Sequence, residues 1–254
     1  MPSEFSELDE PPRTDSGFVE DMATREQAAA LRDLLTPHGD AWVTFRSDLD
    51  LRLDGRYSNH ITPEAIYALD ASRTAAQADF YASRKTRRNE TYFHHVGYVR
   101  RPMAVVFAID GRVASSQTYS DFHADRARLM EYVSLNYPKS MLSAERWNAK
   151  REYDPYLGFK ALIWMTEQVA DDIVGSVYWG DTFKHHPDKP RVWRELITAV
   201  GVDALEDRIN FLTGDCGHQL AVLNPDAIRV LASFDNPAAS AGSLSPSTAH
   251  PNAA

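Results

Sequence analysis

Between Val43 and Leu53 the chain alternates with a period of two. Val43, Phe45, Ser47, Leu49, Leu51 and Leu53 fall on one side, and Thr44, Arg46, Asp48, Asp50 and Arg52 on the other. Successive side chains of an extended strand point to opposite faces, so this run predicts a strand with one buried and one charged face. A sheet is therefore part of the fold. Asp54-Gly55 supplies a turn after the run. Three further strands are predicted at 91–100, Met103–Ile109 and Arg112–Thr118. The last two are joined by Asp110-Gly111, a two-residue hairpin signal, so neighbouring strands are expected to pair in sequence as an antiparallel meander.

Helical signals surround these strands. Thr24-Arg25-Glu26-Gln27 reads as a capping box opening an Ala/Leu helix that Pro37 and Gly39 close, and Thr62-Pro63-Glu64 opens a second helix reaching Ser83. Further helices are predicted at Asp121–Asn136, Ser143–Arg151, Pro155 to about Trp179, Pro190–Val200 closed by Gly201, and Asp203–Thr213 closed by Gly214. His218–Leu223 and Ala227–Phe234 flank Asn224-Pro225-Asp226, either as a hairpin or as a strand and a short capped helix. Strands and helices come in groups without strict alternation. That predicts an α+β fold: an antiparallel meander with N-terminal helices and a helical C-terminal half. Residues 22–235 hold neither a repeat nor a linker and read as one domain, a division near residue 140 being the alternative.

Charge is unevenly spread. The formal net charge of the 254 residues is −9. Residues 1–21 carry seven acids and one base, and residues 236–254 carry no charged side chain, so the body between them holds only −3. The acidic tail and the Ala/Ser/Pro tail bury too little apolar surface to repay ordering and are expected to be disordered. The longest apolar run, Met103–Ile109, is seven residues, against the roughly 20 that a membrane helix needs, so no membrane partner is expected. One cysteine, Cys216, forms no disulfide within the chain, and the N-terminus lacks a secretory pattern; both fit a cytoplasmic location.

The densest functional signal lies between Phe80 and Arg101. Arg84, Lys85, Arg87, Arg88, Arg100 and Arg101 stand against the single acid Glu90, interleaved with Tyr81, Tyr92, Phe93 and Tyr98. Arginine forks take phosphate oxygens and aromatic faces stack on bases, a mixture suited to nucleic acid or a nucleotide. The alternative is a helix C-terminus whose dipole favours cations, followed by core aromatics. Within the same stretch His94 and His95 are candidates for general acid/base chemistry, with His123 next. On the predicted first strand Asp48 and Asp50 share a face, some ~7 Å apart, and can hold one Mg²⁺ with substrate phosphates completing its shell. Flanked by Arg46 and Arg52, the same acids also read as a self-neutralising surface.

Ser47-Asp48-Leu49-Asp50-Leu51 resembles the acidic strand of the nucleotidyltransferase superfamily. That resemblance implies a phosphate-holding turn near Gly39-Asp40 and a third acid, Asp110. Gln219 to Leu231 resembles the closing hairpin of ADP-ribosyltransferase-type toxin domains. This second resemblance implies an NAD-using enzyme in which Arg46 is the first-strand arginine that binds NAD, with Gln219 standing where the family carries a carboxylate.

Other features read as structural. His185-His186 lie in a Pro-flanked loop, and Cys216 and His218 sit two apart in a turn without the strand-to-elbow pattern that exposes a nucleophile. Glu167, Asp171 and Asp172 read as a solvated helix face, and phosphate loops of the P-loop and Rossmann kinds are absent from the sequence. The expectation is a protein binding a nucleic-acid or nucleotide partner, and, if an enzyme, a Mg²⁺-dependent phosphoryl or nucleotidyl transferase. An ADP-ribosyltransferase-like enzyme and a non-catalytic binding or inhibitory protein are the alternatives.

Overall fold

The computed structural model describes residues 25–53, 63–78, 101–141, 158–177, 187–207 and 219–239. In chain order the elements are α1 (Arg25–Leu35), β1 (Trp42–Arg46), β2 (Ile66–Asp70), α2 (Ala71–Ala76), β3 (Met103–Ile109), β4 (Val113–Ser115), α3 (Phe122–Asn136), α4 (Gly158–Val177), α5 (Lys189–Ala199), β5 (Ala204–Asp207), β6 (Gln219–Val222) and β7 (Ile228–Asp235). The fold is α+β. Its strands join one sheet in the order β4-β5-β6-β2-β1-β3-β7, with β4 and β5 parallel and the other pairs antiparallel.

Two fold expectations are corrected. The sheet is mixed and is not a meander, because Asp110-Gly111 does not fold β4 back onto β3; β4 pairs with β5, some ninety residues later. Nor is the C-terminal half helical: β5, β6 and β7 share it with α4 and α5. The predicted helix from Asp203 begins instead as β5, whose Ala204, Leu205 and Asp207 are all buried. The predicted helix from Thr62 is likewise replaced by β2 and the short α2, which Asp70 caps by accepting from the Arg73 N–H at 2.9 Å. The predicted strand at 91–100, the predicted helix at 143–151 and residues 1–21 and 240–254 lie outside the described residues. The tail expected to be disordered from residue 236 is ordered at its start: Asn236 Nδ2 donates to the Arg101 carbonyl at 2.9 Å, and Ala238 is buried in the cluster under α1 and α2.

The connections force the sheet to curl. β3 and β4 are linked by three residues, Asp110 to Arg112, yet stand five places apart in the strand order. In a flat sheet five spacings amount to about 24 Å, whereas the four peptide steps from Ile109 to Val113 span at most about 14 Å. Asp203, just before β5, fastens this junction. Its Oδ2 accepts from the Arg112 N–H at 2.8 Å, its Oδ1 from Asn224 Nδ2 at 2.8 Å, and its carbonyl from the Leu223 N–H at 2.8 Å. The link from β6 to β7 joins the same junction, where the Asp110 N–H donates to the Ala227 carbonyl at 2.8 Å.

The concave face encloses one apolar cluster. Ile66, Ala68, Phe107, Ala204, Leu220 and Val222 meet there, with Trp42, Ile109 and Ile228 against them. The convex face carries two more. Tyr67, Leu205 and Ala221 pack beneath α3, α4 and α5, whereas Val43, Phe45, Leu69, Ala104 and Val106 pack beneath α1 and α2. Buried polar groups tie the larger helical layer together. Lys189, 1% exposed, bridges Glu167 at 3.1 Å and Asp171 at 2.8 Å, so these two acids anchor α5 to α4 rather than forming a merely solvated face. Asp125 of α3, fully buried, takes both Arg112 amino groups at 2.8 Å and the Tyr119 hydroxyl at 2.6 Å. No helix among the described residues is long and apolar enough to cross a membrane.

Candidate functional site

β1 ends earlier than its alternation predicts. It stops at Arg46, and Val43, Thr44, Phe45 and Arg46 are all buried, because β1 lies between β2 and β3 and is covered on both faces. Asp48 and Asp50 are therefore not strand residues sharing a face. They occupy the exposed loop after β1, where Asp48 Oδ1 accepts from the Asp50 N–H at 3.0 Å and the Asp50 carboxylate pairs with Arg52. Both acidic interactions with Arg52 hold its guanidinium charged more firmly than usual. The third acid of the nucleotidyltransferase resemblance is far away. Asp110 follows the far end of β3, whereas the loop follows Arg46, which pairs with Met103 at the near end; six residues of strand separate the two, about 20 Å. Asp110 is engaged by Arg229 at 2.7 Å. Among the described residues no group of three or more His, Cys, Asp or Glu side chains is gathered as a metal site.

Arg46 is a charged side chain only 6% exposed. Its Nη2 donates to the carbonyls of Asp50 at 3.2 Å and Arg52 at 3.0 Å, so it shapes the loop that carries the acids. Arg101 precedes β3 at this same end of the sheet, where its carbonyl accepts from Asn236 Nδ2 at 2.9 Å. It is the described member of the basic stretch. Arg84, Lys85, Arg87, Arg88, Tyr92, His94, His95 and Arg100 lie outside the described residues, as do Cys216, His218 and the His185-His186 pair. His123 stands exposed in the first turn of α3, its ring edge-on to Phe122 at 5.7 Å.

A second polar locus sits at the other end of the sheet. Gln219, 2% exposed, heads β6, with Leu69 of β2 on one side and Asp207 of β5, 1% exposed, on the other. Residues directly opposed on antiparallel strands share a face, their Cβ atoms ~5 Å apart. Asp207 and Gln219 thus stand side by side on the convex face. The neighbouring row, Leu205, Ala221 and Tyr67, belongs to the cluster under α3, α4 and α5, and Leu69 to the cluster under α1 and α2. The polar pair marks where the two apolar clusters meet. Sequence reasoning missed Asp207, which fell inside a predicted helix; its pairing partner lies across an intervening segment.

The sheet does not bring Arg46 and Gln219 together. Gln219 is level with Leu69, and Leu69 with Val43. Arg46 lies three residues farther along β1, about 10 Å, and by alternation on the opposite face. The stretch from Gln219 to Leu231 is not a hairpin either. β6 pairs with β2 and β5, β7 pairs with β3, and a 3-10 turn at Pro225–Ala227 carries the chain between them. Tested against protein-family models, curated proteins and solved structures, the chain has no match.

Proposed function

We propose that this chain is an NAD-using enzyme of the ADP-ribosyl transfer class. The observation that carries the reading is the place of Gln219. A polar side chain is buried at the head of an interior strand, at the first position of the segment whose sequence resembles the ADP-ribosyltransferase closing hairpin, although its two strands do not pair with each other here. An interior strand flanked on both sides is ordinarily filled with apolar residues, as Leu220, Ala221 and Val222 are. Arg46 enters this reading as the residue that fixes the loop after β1 through two carbonyls, and not as a neighbour of Gln219.

The stretch from Arg84 to Arg101 fits the same function. A net charge of +5 in so short a span supplies a positive field for a phosphate-bearing partner, whether the pyrophosphate of NAD or a nucleic-acid acceptor. A single cysteine and the need for NAD favour action in the cytoplasm. The test is release of nicotinamide from NAD by the purified full chain, followed by chromatography. Release is expected, with a fall of about tenfold or more in Gln219→Ala. A chain that neither binds NAD nor releases nicotinamide overturns the proposal.

A further inference from the structure

We infer that the concave face of the sheet is a binding site for an aliphatic carboxylate, and that the stretch from Ser47 to Leu53 is the strap that closes it. The inference stands apart from the NAD reading and does not need it. Its starting point is a connection that is too long. β1 and β2 are antiparallel neighbours in the sheet, yet residues 47–65 run between them, where about 2–5 residues suffice to turn one strand into the next. Loops with that excess are commonly lids or binding loops. The start of this one folds back over the sheet: Leu51 and Leu53, both half-buried, pack against the concave cluster of Ile66, Phe107 and Leu220. The residues around them, Ser47 to Asp50 and Arg52, are exposed.

Arg46 marks the polar end of the same face. It lies four residues beyond Trp42, which packs against the concave cluster, and side chains four apart on a strand share a face, about 13 Å from each other. Arg46 is 6% exposed, and its Nη2 donates to two strap carbonyls, those of Asp50 at 3.2 Å and Arg52 at 3.0 Å. One segment thus offers aliphatic side chains to the cluster and oxygens to the cation. An amphiphile with an aliphatic chain and one carboxylate carries both chemistries in a single molecule. Its carboxylate accepts from Nη2 with charge on both partners, which a carbonyl lacks, and its two oxygens match the arginine fork. Its chain takes the place of Leu51 and Leu53, so the apolar surface they cover stays out of water. Access requires that an exposed segment lift. What the strap gives up, the burial of its leucines and the two Nη2 bonds, the ligand restores.

The experiment titrates decanoate, below its micelle concentration, into the full chain by calorimetry, with decanol as the probe that has the chain without the charge. Saturable one-to-one binding of decanoate is expected, about tenfold or more tighter than decanol, together with a raised melting temperature. Arg46→Gln should bring the two probes to within about twofold of each other. In Leu51→Ser/Leu53→Ser the strap competes less, and decanoate affinity should rise about tenfold. Trypsin reads the strap in the wild type itself: saturating decanoate should speed cleavage after Arg52 several-fold, because lifting exposes that bond. Where a variant fails to fold, the wild type carries the test, the ratio of decanoate to decanol affinity reading the charge and cleavage after Arg52 reading the strap. A wild type that binds neither probe, or binds decanol as tightly as decanoate, overturns the inference. So does cleavage after Arg52 that is indifferent to saturating decanoate, a decanoate preference that survives in folded Arg46→Gln, or an unaltered affinity in folded Leu51→Ser/Leu53→Ser.

Discussion

At the scale of single residues, this protein buries several ionisable side chains, and Asp125, Lys189 and Arg46 each meet named partners. Asp125 shows the pattern most fully. It lies fully buried on α3 with Arg112 clamped across both of its oxygens, and Tyr119 donates its hydroxyl to it. Burial, followed by the hydrogen bond and the negative charge of Asp125, raises the Tyr119 phenol well above its ordinary value of 10.0. The consequence has a definite sign. Above pH ~10 the unfolded chain ionises this phenol while the native state keeps its proton, so stability present at lower pH is lost as pH rises through that range. In Tyr119→Phe the extra alkaline loss should vanish. Urea denaturation at pH 8, 10 and 11 should show the wild type more stable at pH 8 and the gap to the variant narrowing above pH 10; a constant gap argues against this account. Polar burial of this kind is hard to see in sequence. Asp125 and Lys189 are ordinary helix residues by pattern, and only the arrival of Arg112 or of Glu167 and Asp171 across the fold explains them.

At the scale of elements, the turn at Asp110-Gly111 decides the topology. A Cβ on Gly111 would come within 2.6 Å of Asp203 Oδ2, and that carboxylate cannot easily yield while it accepts from the Arg112 N–H and from Asn224. Gly111→Ala should therefore cost about 1–3 kcal/mol, the range for a disrupted buried polar contact, read as a lowered denaturation midpoint; a wild-type midpoint contradicts the junction described. Elements bounded by local chemistry were legible beforehand. β3 emerged with its observed limits, α3 was read one residue early, and α5 ends where Gly201, at φ +81°, closes it. β2 and β5 were not legible, because Ile66 to Leu69 are buried on both faces, as are Ala204, Leu205 and Asp207 about the half-buried Glu206, so neither run shows a usable alternation. β1 was recognised but overextended, since the alternation of Leu49, Leu51 and Leu53 continues past the last paired residue. The candidate site suffered most from this. Asp48 and Asp50 were chosen for a strand geometry they lack, while Asp207 was hidden in an expected helix.

At the scale of the whole molecule, charge and topology act together. The sequence is acidic in sum, yet its first 21 residues hold −6 and Phe80 to Arg101 hold +5. Arg101, the described member of that stretch, stands at the end of the sheet where Arg46 and Arg52 also stand. A phosphate-bearing partner drawn by this field should bind a short single-stranded oligonucleotide with strong salt dependence. Affinity should fall by orders of magnitude between ~50 and ~200 mM salt, with a shallower slope in Arg87→Gln/Arg88→Gln. Affinity that is indifferent to salt removes the basic stretch from the function.

The curl of the sheet also governs how the molecule is made. β3 receives its outer neighbour only when Ile228–Asp235 has left the ribosome, and β2 gains its second neighbour only with Gln219–Val222. Until synthesis nears completion, the N-terminal strands lack these ladder partners, so late closure of the sheet is built into this strand order.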